Sequence, residues 1–189
     1  EKFYDALVAV RLGDSYYEEA KYAEAEVEYK RFLELHSKNK AAPYVQYQIG
    51  MCNFKQMGTA DRDPEYAVNS VNAFTQLLKD YPSNPYEDEA KEKIRLAQGR
   101  VAEHEFMVGN YYYSRGYYKA AAMRFKGIVD NYHGSKDEAE TLYKLTDSYI
   151  RIKDYDLAKS TLAVLYQEHP NHRFTQKAKE TLAGRIPQK

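Results

Sequence analysis

GNYYYSRGYYKAAAMRFKGI, residues 109–128, decides the fold because its spacing recurs elsewhere in the chain. From Gly109 the key residues fall at Tyr112, Tyr118, Ala121, Phe125 and Ile128; from Gly13 they fall at the same intervals, at Tyr16, Tyr22, Ala25, Tyr29 and Phe32. Another copy runs Thr146, Tyr149, Tyr155, Ala158, Leu162, Leu165 and Pro170. The remaining copy begins on Gly50 but resumes late, since Phe74, Leu77 and Pro82 stand eight residues further on than the others require. This interval describes two helices folded back on each other. The small residues let the backbones approach, and the aromatic four residues after the alanine fills the groove between them. Each pair leaves an apolar face that the next pair covers, so the expected fold is all-α.

The pattern resembles the tetratricopeptide repeat, which implies a solenoid of about four helix pairs plus a C-terminal helix. Helices are expected at about 3 to 18, 21 to 36, 42 to 57, 64 to 81, 86 to 114, 117 to 132, 137 to 152, 155 to 168 and 173 to 183. The expected organisation is a single repeat domain over 1–189, with repeats at about 3–37, 42–82, 86–133 and 137–170. In the long helix Ala90, Ile94, Ala97, Val101, His104 and Val108 form one apolar stripe, while PYEDEAKEKIR is charged elsewhere.

Composition narrows the function. The 28 basic side chains equal the 28 acidic ones, so a global attraction to nucleic acid is not expected. The one cysteine, Cys52, lies in an apolar helical pattern and reads as a buried small hydrophobe. No apolar run has transmembrane length, and EKFYDALVAV lacks the basic segment and apolar run of a signal peptide. There is no Gly-rich phosphate loop, no G-x-S-x-G and no Cys–His pair. HPNHR places His169 and His172 in a turn without cysteine or a placed carboxylate, which is weak evidence for metal. The chain is therefore read as no enzyme, with no cofactor and no metal.

The late repeat carries its excess in TADRDPEYA, residues 59–67. Asp63 before Pro64 is a helix start: the carboxylate caps free amides, and proline takes the first helical position without losing a needed donor. Asp61 and Asp63 have the spacing of the first two ligands of a calcium loop. Tyr66 stands where that loop needs glycine, however, and Asn72 where it needs glutamate, which rules the loop out. From the residues alone, the stretch reads first as a cap with a lengthened turn, and second as a projecting contact loop.

YVQYQIGMCNF, then DRDPEYAVNSVNAFTQLLKDYPSNPY, then EFMVGNYYYSRGYYKAAAMRFKGIVDNY together resemble the BamD (YfiO-type) family of outer-membrane β-barrel assembly lipoproteins. DRDP in register with YPSNPY is the most specific mark, and the likeness covers nearly the whole chain. It implies a non-catalytic scaffold on the periplasmic face of the outer membrane. The implied partners are the POTRA region of the barrel-forming BamA subunit, other lipoproteins of the machinery, and unfolded outer-membrane proteins. The resemblance further implies a lipid-bearing cysteine and one more repeat ahead of EKFYDALVAVRLGDSYY. On that reading these residues are a fragment, and the lipid anchor lies outside them.

The same likeness picks out contact residues. Arg124 in AAMRFKG comes first, since a guanidinium fork suits an interface carboxylate. Arg115 follows, with Tyr111 and Tyr113, which are expected to point away from the packing position held by Tyr112. Arg31 matches a family arginine and is expected to face the groove. Asp61, Arg62 and Asp63 complete the set, because a generic repeat does not need DRDP. The alternative reading is a generic periplasmic repeat adaptor that binds peptide segments in its concave groove and leaves DRDP as a turn.

Overall fold

The computed structural model describes residues 2–135 and 137–187, with side chains from Leu7 onward. It is all-α, and no strand occurs among the described residues. The helices are α1 (Lys2–Glu18), α2 (Tyr22–His36), α3 (Ala42–Gln56), α4 (Glu65–Asp80), α5 (Glu87–Ser114), α6 (Tyr118–Asn131), α7 (Glu138–Arg151), α8 (Tyr155–Glu168) and α9 (Arg173–Thr181). A 3-10 turn, Ala183–Arg185, follows α9. The chain divides into two compact units, Glu1–Val101 and Ala102–Lys189.

In the first unit, α1 packs on α2, α2 on α3, and α3 on α4. Tyr29, Phe32, Val45, Ile49 and Cys52 form one core cluster; Tyr47, Phe74, Leu77 and Ala90 form a second. The hydroxyls of Tyr29 and Tyr44 both donate to Asp14 Oδ1, each at 2.8 Å, which ties three helices at one carboxylate. In the second unit α6 packs on α7 and α7 on α8 and α9. Phe125, Ile128, Leu142, Leu165 and Leu182 lie at its centre. Burying each such side chain contributes about 1.5–3 kcal/mol, so these clusters carry the fold. The stripe expected on α5 holds at Ala90, Ala97 and Val101, all buried.

The repeat intervals have a direct packing cause. A Cβ placed on Gly13, Gly50 or Gly109 would come within 2.6, 2.5 and 2.6 Å of the rings of Tyr29, Phe74 and Phe125 respectively. Each glycine is the seat of its repeat's aromatic. The Thr146 copy solves the same problem from the other side, with leucine at 162 in place of the ring. The alanine position is filled by fully buried Ala25, Ala121 and Ala158. In the Gly50 copy it is filled by buried Ser70, whose hydroxyl donates to the Gly50 carbonyl at 3.3 Å.

The turn inside each pair explains why one copy is longer. Seven residues after the seat, Ala20, Gly116 and Lys153 adopt positive φ of 58°, 79° and 63°. The next amide then closes back on the preceding helix: Lys21 N on Tyr16 O, Tyr117 N on Tyr112 O, and Asp154 N on Tyr149 O, at 2.9–3.0 Å. This is a Schellman-type end, and it reverses the chain at once. At the matching place in the Gly50 copy, Met57 is extended, with φ −60° and ψ 119°. The chain leaves α3 without reversing, and the excess residues bring it back. Burial pushes the Cys52 thiol up to about 12, with the Glu26 charge adding to it, so the side chain behaves as the small hydrophobe expected.

Candidate functional site

The last turns of α5 and the length of α6 line a cavity of about 450 Å³ in the second unit. Glu105 and Tyr112 from α5 and Ala120, Met123, Arg124 and Gly127 from α6 line it. The small residues follow from helical spacing. Phe125 and Ala121 turn into the core, which leaves Ala120, Met123, Arg124 and Gly127 on the opposite face. Ala120 and Gly127 carry little or no side chain, so the floor is open.

Arg124 Nη1 donates to both oxygens of Glu105, at 3.1 and 2.9 Å. The arginine side chain is 45% exposed. An ion pair this open contributes at most about 1 kcal/mol, so Glu105 orients the guanidinium more than it holds the fold. Met123, which lines the cavity with Arg124, is well exposed (71%), as are Tyr117 (61%) and Tyr111 (54%), the two rings that meet Tyr112. Tyr111 meets Tyr112 edge-on at 5.7 Å, Tyr112 meets Tyr117 at 6.5 Å, and the Arg115 guanidinium caps the Tyr111 ring at 4.9 Å. Aromatic, methionine and arginine side chains on one exposed face match the composition of protein interfaces.

Tyr113 requires a correction. Expected to point outward with Tyr111, it turns inward and donates to Asp147 Oδ2 at 2.6 Å, with its ring against Phe125 and Tyr118. One residue of helix rotation separates the two tyrosines, and Tyr113 lies on the side where α7 presents a buried carboxylate. Tyr112 is intermediate: half-buried against the core and also lining the cavity.

Asp147 was missed by sequence reasoning. Nearly fully buried, it accepts from Tyr113, from Arg151 Nε at 2.7 Å and from Arg185 Nη1 at 2.5 Å. Burial alone would raise its pKa. The hydrogen bonds from Tyr113, Arg151 and Arg185 outweigh it and hold the carboxyl below its usual range. Its only sequence signal was Arg151 one helical turn on, a common pattern on solvated helices.

Arg31 is the remaining arginine of the candidate set. It is exposed on α2, 3.7 Å from Glu28. The first unit's groove, about 650 Å³ between α2, α3 and α4, is lined by its neighbours Lys30, Leu33 and Glu34 instead. One residue along a helix is about 100°, enough to turn the side chain off that surface.

The DRDP stretch forms a compact turn. Arg62 N donates to Thr59 O at 3.0 Å, and Asp63 Oδ1 accepts from Glu65 N at 2.9 Å. Asp63 therefore accepts from the first amide of α4 as expected, but Pro64 is the cap residue rather than the first helical one. The Thr59 hydroxyl, its own backbone and neighbouring Arg62 hold the Asp61 carboxyl below its usual range. Asp61, Arg62 and Asp63 are all exposed. Among the described residues no helix is long and apolar enough to cross a membrane.

Comparison with known proteins adds a family. Residues 3–161 match YfiO, described as outer membrane lipoprotein. A Caulobacter vibrioides protein named outer membrane protein assembly factor BamD is 29% identical over 162 residues, which cover 86% of this chain and 53% of that protein. Proteins of the same name from Rickettsia prowazekii and Neisseria gonorrhoeae are 28% and 27% identical, over 82% and 85% of this chain and 62% and 64% of their own lengths. The chain thus spans between half and two thirds of the length of these relatives.

Proposed function

The chain belongs to the YfiO outer membrane lipoprotein family, and from that premise we propose that it is a non-catalytic scaffold of the β-barrel assembly machinery. It binds the POTRA region of BamA and helps the insertion of outer-membrane proteins. The full protein is held by a lipid anchor at the periplasmic face of the outer membrane, alongside the machinery's other lipoproteins. The name assembly factor, borne by the relatives, supports the coarse role. The observation that carries the finer one is the exposed α5–α6 face, where Arg124, Met123 and Tyr112 line one cavity. A partner carboxylate replaces Glu105 on the guanidinium, and an apolar side chain enters above Ala120 and Gly127. No bond is made or broken; the scaffold raises the local concentration of its partners.

The test is charge reversal at Arg124. The side chain is exposed and its pair with Glu105 is weak, so Arg124→Glu folds. Binding to a POTRA fragment is expected to weaken at least tenfold. Equal binding by the folded variant removes this contact from the proposal.

A second reading, a peptide-binding adaptor, is favoured by the first unit's groove. Gln46, Asn53, Asn69, Asn72 and Gln76 line it, and amide side chains can pair with an extended backbone. Peptides from C-terminal barrel strands separate the two readings. Binding that is lost on substitution in this groove and indifferent to Arg124→Glu favours the adaptor.

A further inference from the structure

We propose that Glu138, Glu168 and His169 form a binding site for a divalent transition metal, with zinc the best chemical match. Ligand atoms of Glu138, Glu168 and His169 all lie within 4.8 Å of one another. Glu138 opens α7 and is buried, while Glu168 ends α8 and His169 follows it. The pairing therefore links the start of one helix to the end of the next.

Three features point to a cation rather than a chance cluster. First, the two oxygens of Glu138 face two imidazoles. His169 Nε2 is 3.3 Å from Oε2, and His133 Nδ1 is 3.5 Å from Oε1. A tetrahedral ion with bonds of about 2.0–2.1 Å holds its ligands roughly 3.3 Å apart, so His169 Nε2 and Glu138 Oε2 stand at the separation of two ligands of one ion, while His133, on the other oxygen, lies outside the three-residue cluster. Second, His169 Nε2 is buried without a hydrogen-bond partner. The neighbouring carboxylate is close but not aligned to accept. An unmet buried polar atom destabilises the fold, and a metal bond to its lone pair would relieve it. Third, the donors are held in place. Gly134 N donates to Glu138 Oε2 at 3.2 Å, and the Thr175 hydroxyl donates to the His169 carbonyl at 2.6 Å. Imidazole nitrogen with carboxylate oxygen is a zinc donor set, and three protein ligands leave a position for water.

Bound there, the ion braces α7 against α8. The site neither uses nor touches Arg124, so it stands independently of the partner reading.

The test uses the whole chain, freed of metal by chelator and titrated with zinc chloride by calorimetry, with thermal unfolding in parallel. One equivalent is expected to bind, and zinc to raise the melting temperature. His169→Ala and Glu168→Gln should each weaken binding at least tenfold and abolish the thermal shift, while His172→Ala leaves both unchanged. Glu168 is exposed, so its substitution spares the fold, and circular dichroism checks both variants. Absence of saturable binding, or affinity changed less than tenfold in both His169→Ala and Glu168→Gln, overturns the proposal.

Discussion

Gly109→Ala is the sharpest test of how the repeats pack. The added Cβ would stand 2.6, 2.9 and 3.1 Å from three atoms of the Phe125 ring, which is fully buried. Ordinary carbon contacts are about 3.5–4.0 Å, so the ring must retreat by roughly 1 Å into a filled core. Overpacking of this kind costs about 1–3 kcal/mol. Alanine regains about 1 kcal/mol of helix propensity over glycine, so the net loss is about 0–2 kcal/mol. Gly127→Ala, on α6, removes that ambiguity. A Cβ there meets nothing within 4 Å, so the variant gains propensity alone. The gain cancels in the comparison, and Gly109→Ala should be less stable than Gly127→Ala by about 1–3 kcal/mol, or roughly 2–12 °C in melting temperature for a chain of this size. Calorimetric or circular-dichroism melts of the two variants read this directly. Adding Phe125→Leu to Gly109→Ala should cost less than the sum of the single changes, because it recreates the pairing of Thr146 with Leu162. The reasoning is refuted if Gly109→Ala melts with or above Gly127→Ala.

Other expectations follow from single residues. Lys153 holds a φ of 63°, so Lys153→Gly should stabilise the chain by up to about 1 kcal/mol, while Gly116→Ala should destabilise it by a similar amount; urea midpoints check both. Asp147→Asn should cost about 1.5–3 kcal/mol at neutral pH, since the carboxylate loses charge-assisted hydrogen bonds. Its folded pKa lies below the usual value, so its contribution is present above an unfolded pKa of about 3.9 and is lost as pH falls through the folded one. The gap between variant and parent in acid unfolding should therefore close below about pH 4. Asp63→Ala should lose about 0.5–2 kcal/mol of cap stability, whereas Asp61→Ala and Arg62→Ala should melt with the parent. Weaker POTRA binding by the latter two, measured by titration, would then report contact rather than misfolding.

The helix pairs were legible because their signal is local and periodic. Gly109 and Phe125 are separated by a fixed interval that repeats, and the close approach of glycine to ring is the physical cause of that interval. The lengthened copy was also visible as an excess of residues. Its reason was not: the backbone at Met57 runs extended where Ala20, Gly116 and Lys153 turn left-handed, and none of those three side chains except glycine announces the turn. Among the candidate contact residues, the sequence placed Arg124 on an exposed face and Asp63 at a helix start. It misplaced Tyr113, because one residue of rotation decides which neighbour a side chain meets, and the neighbours come from other helices.

By itself, then, the sequence determined an all-α chain of paired helices, the seat of each aromatic, and the family resemblance carried by DRDP and YPSNPY. The tertiary structure decided which charges converge. Asp147 gathers Tyr113, Arg151 and Arg185, and Glu138 faces His133 and His169. Periodicity encodes which face of a helix is apolar, because burial acts on every turn alike. It carries no record of which polar atoms from distant turns share one buried point, since that depends on the angle and offset at which the helices pack.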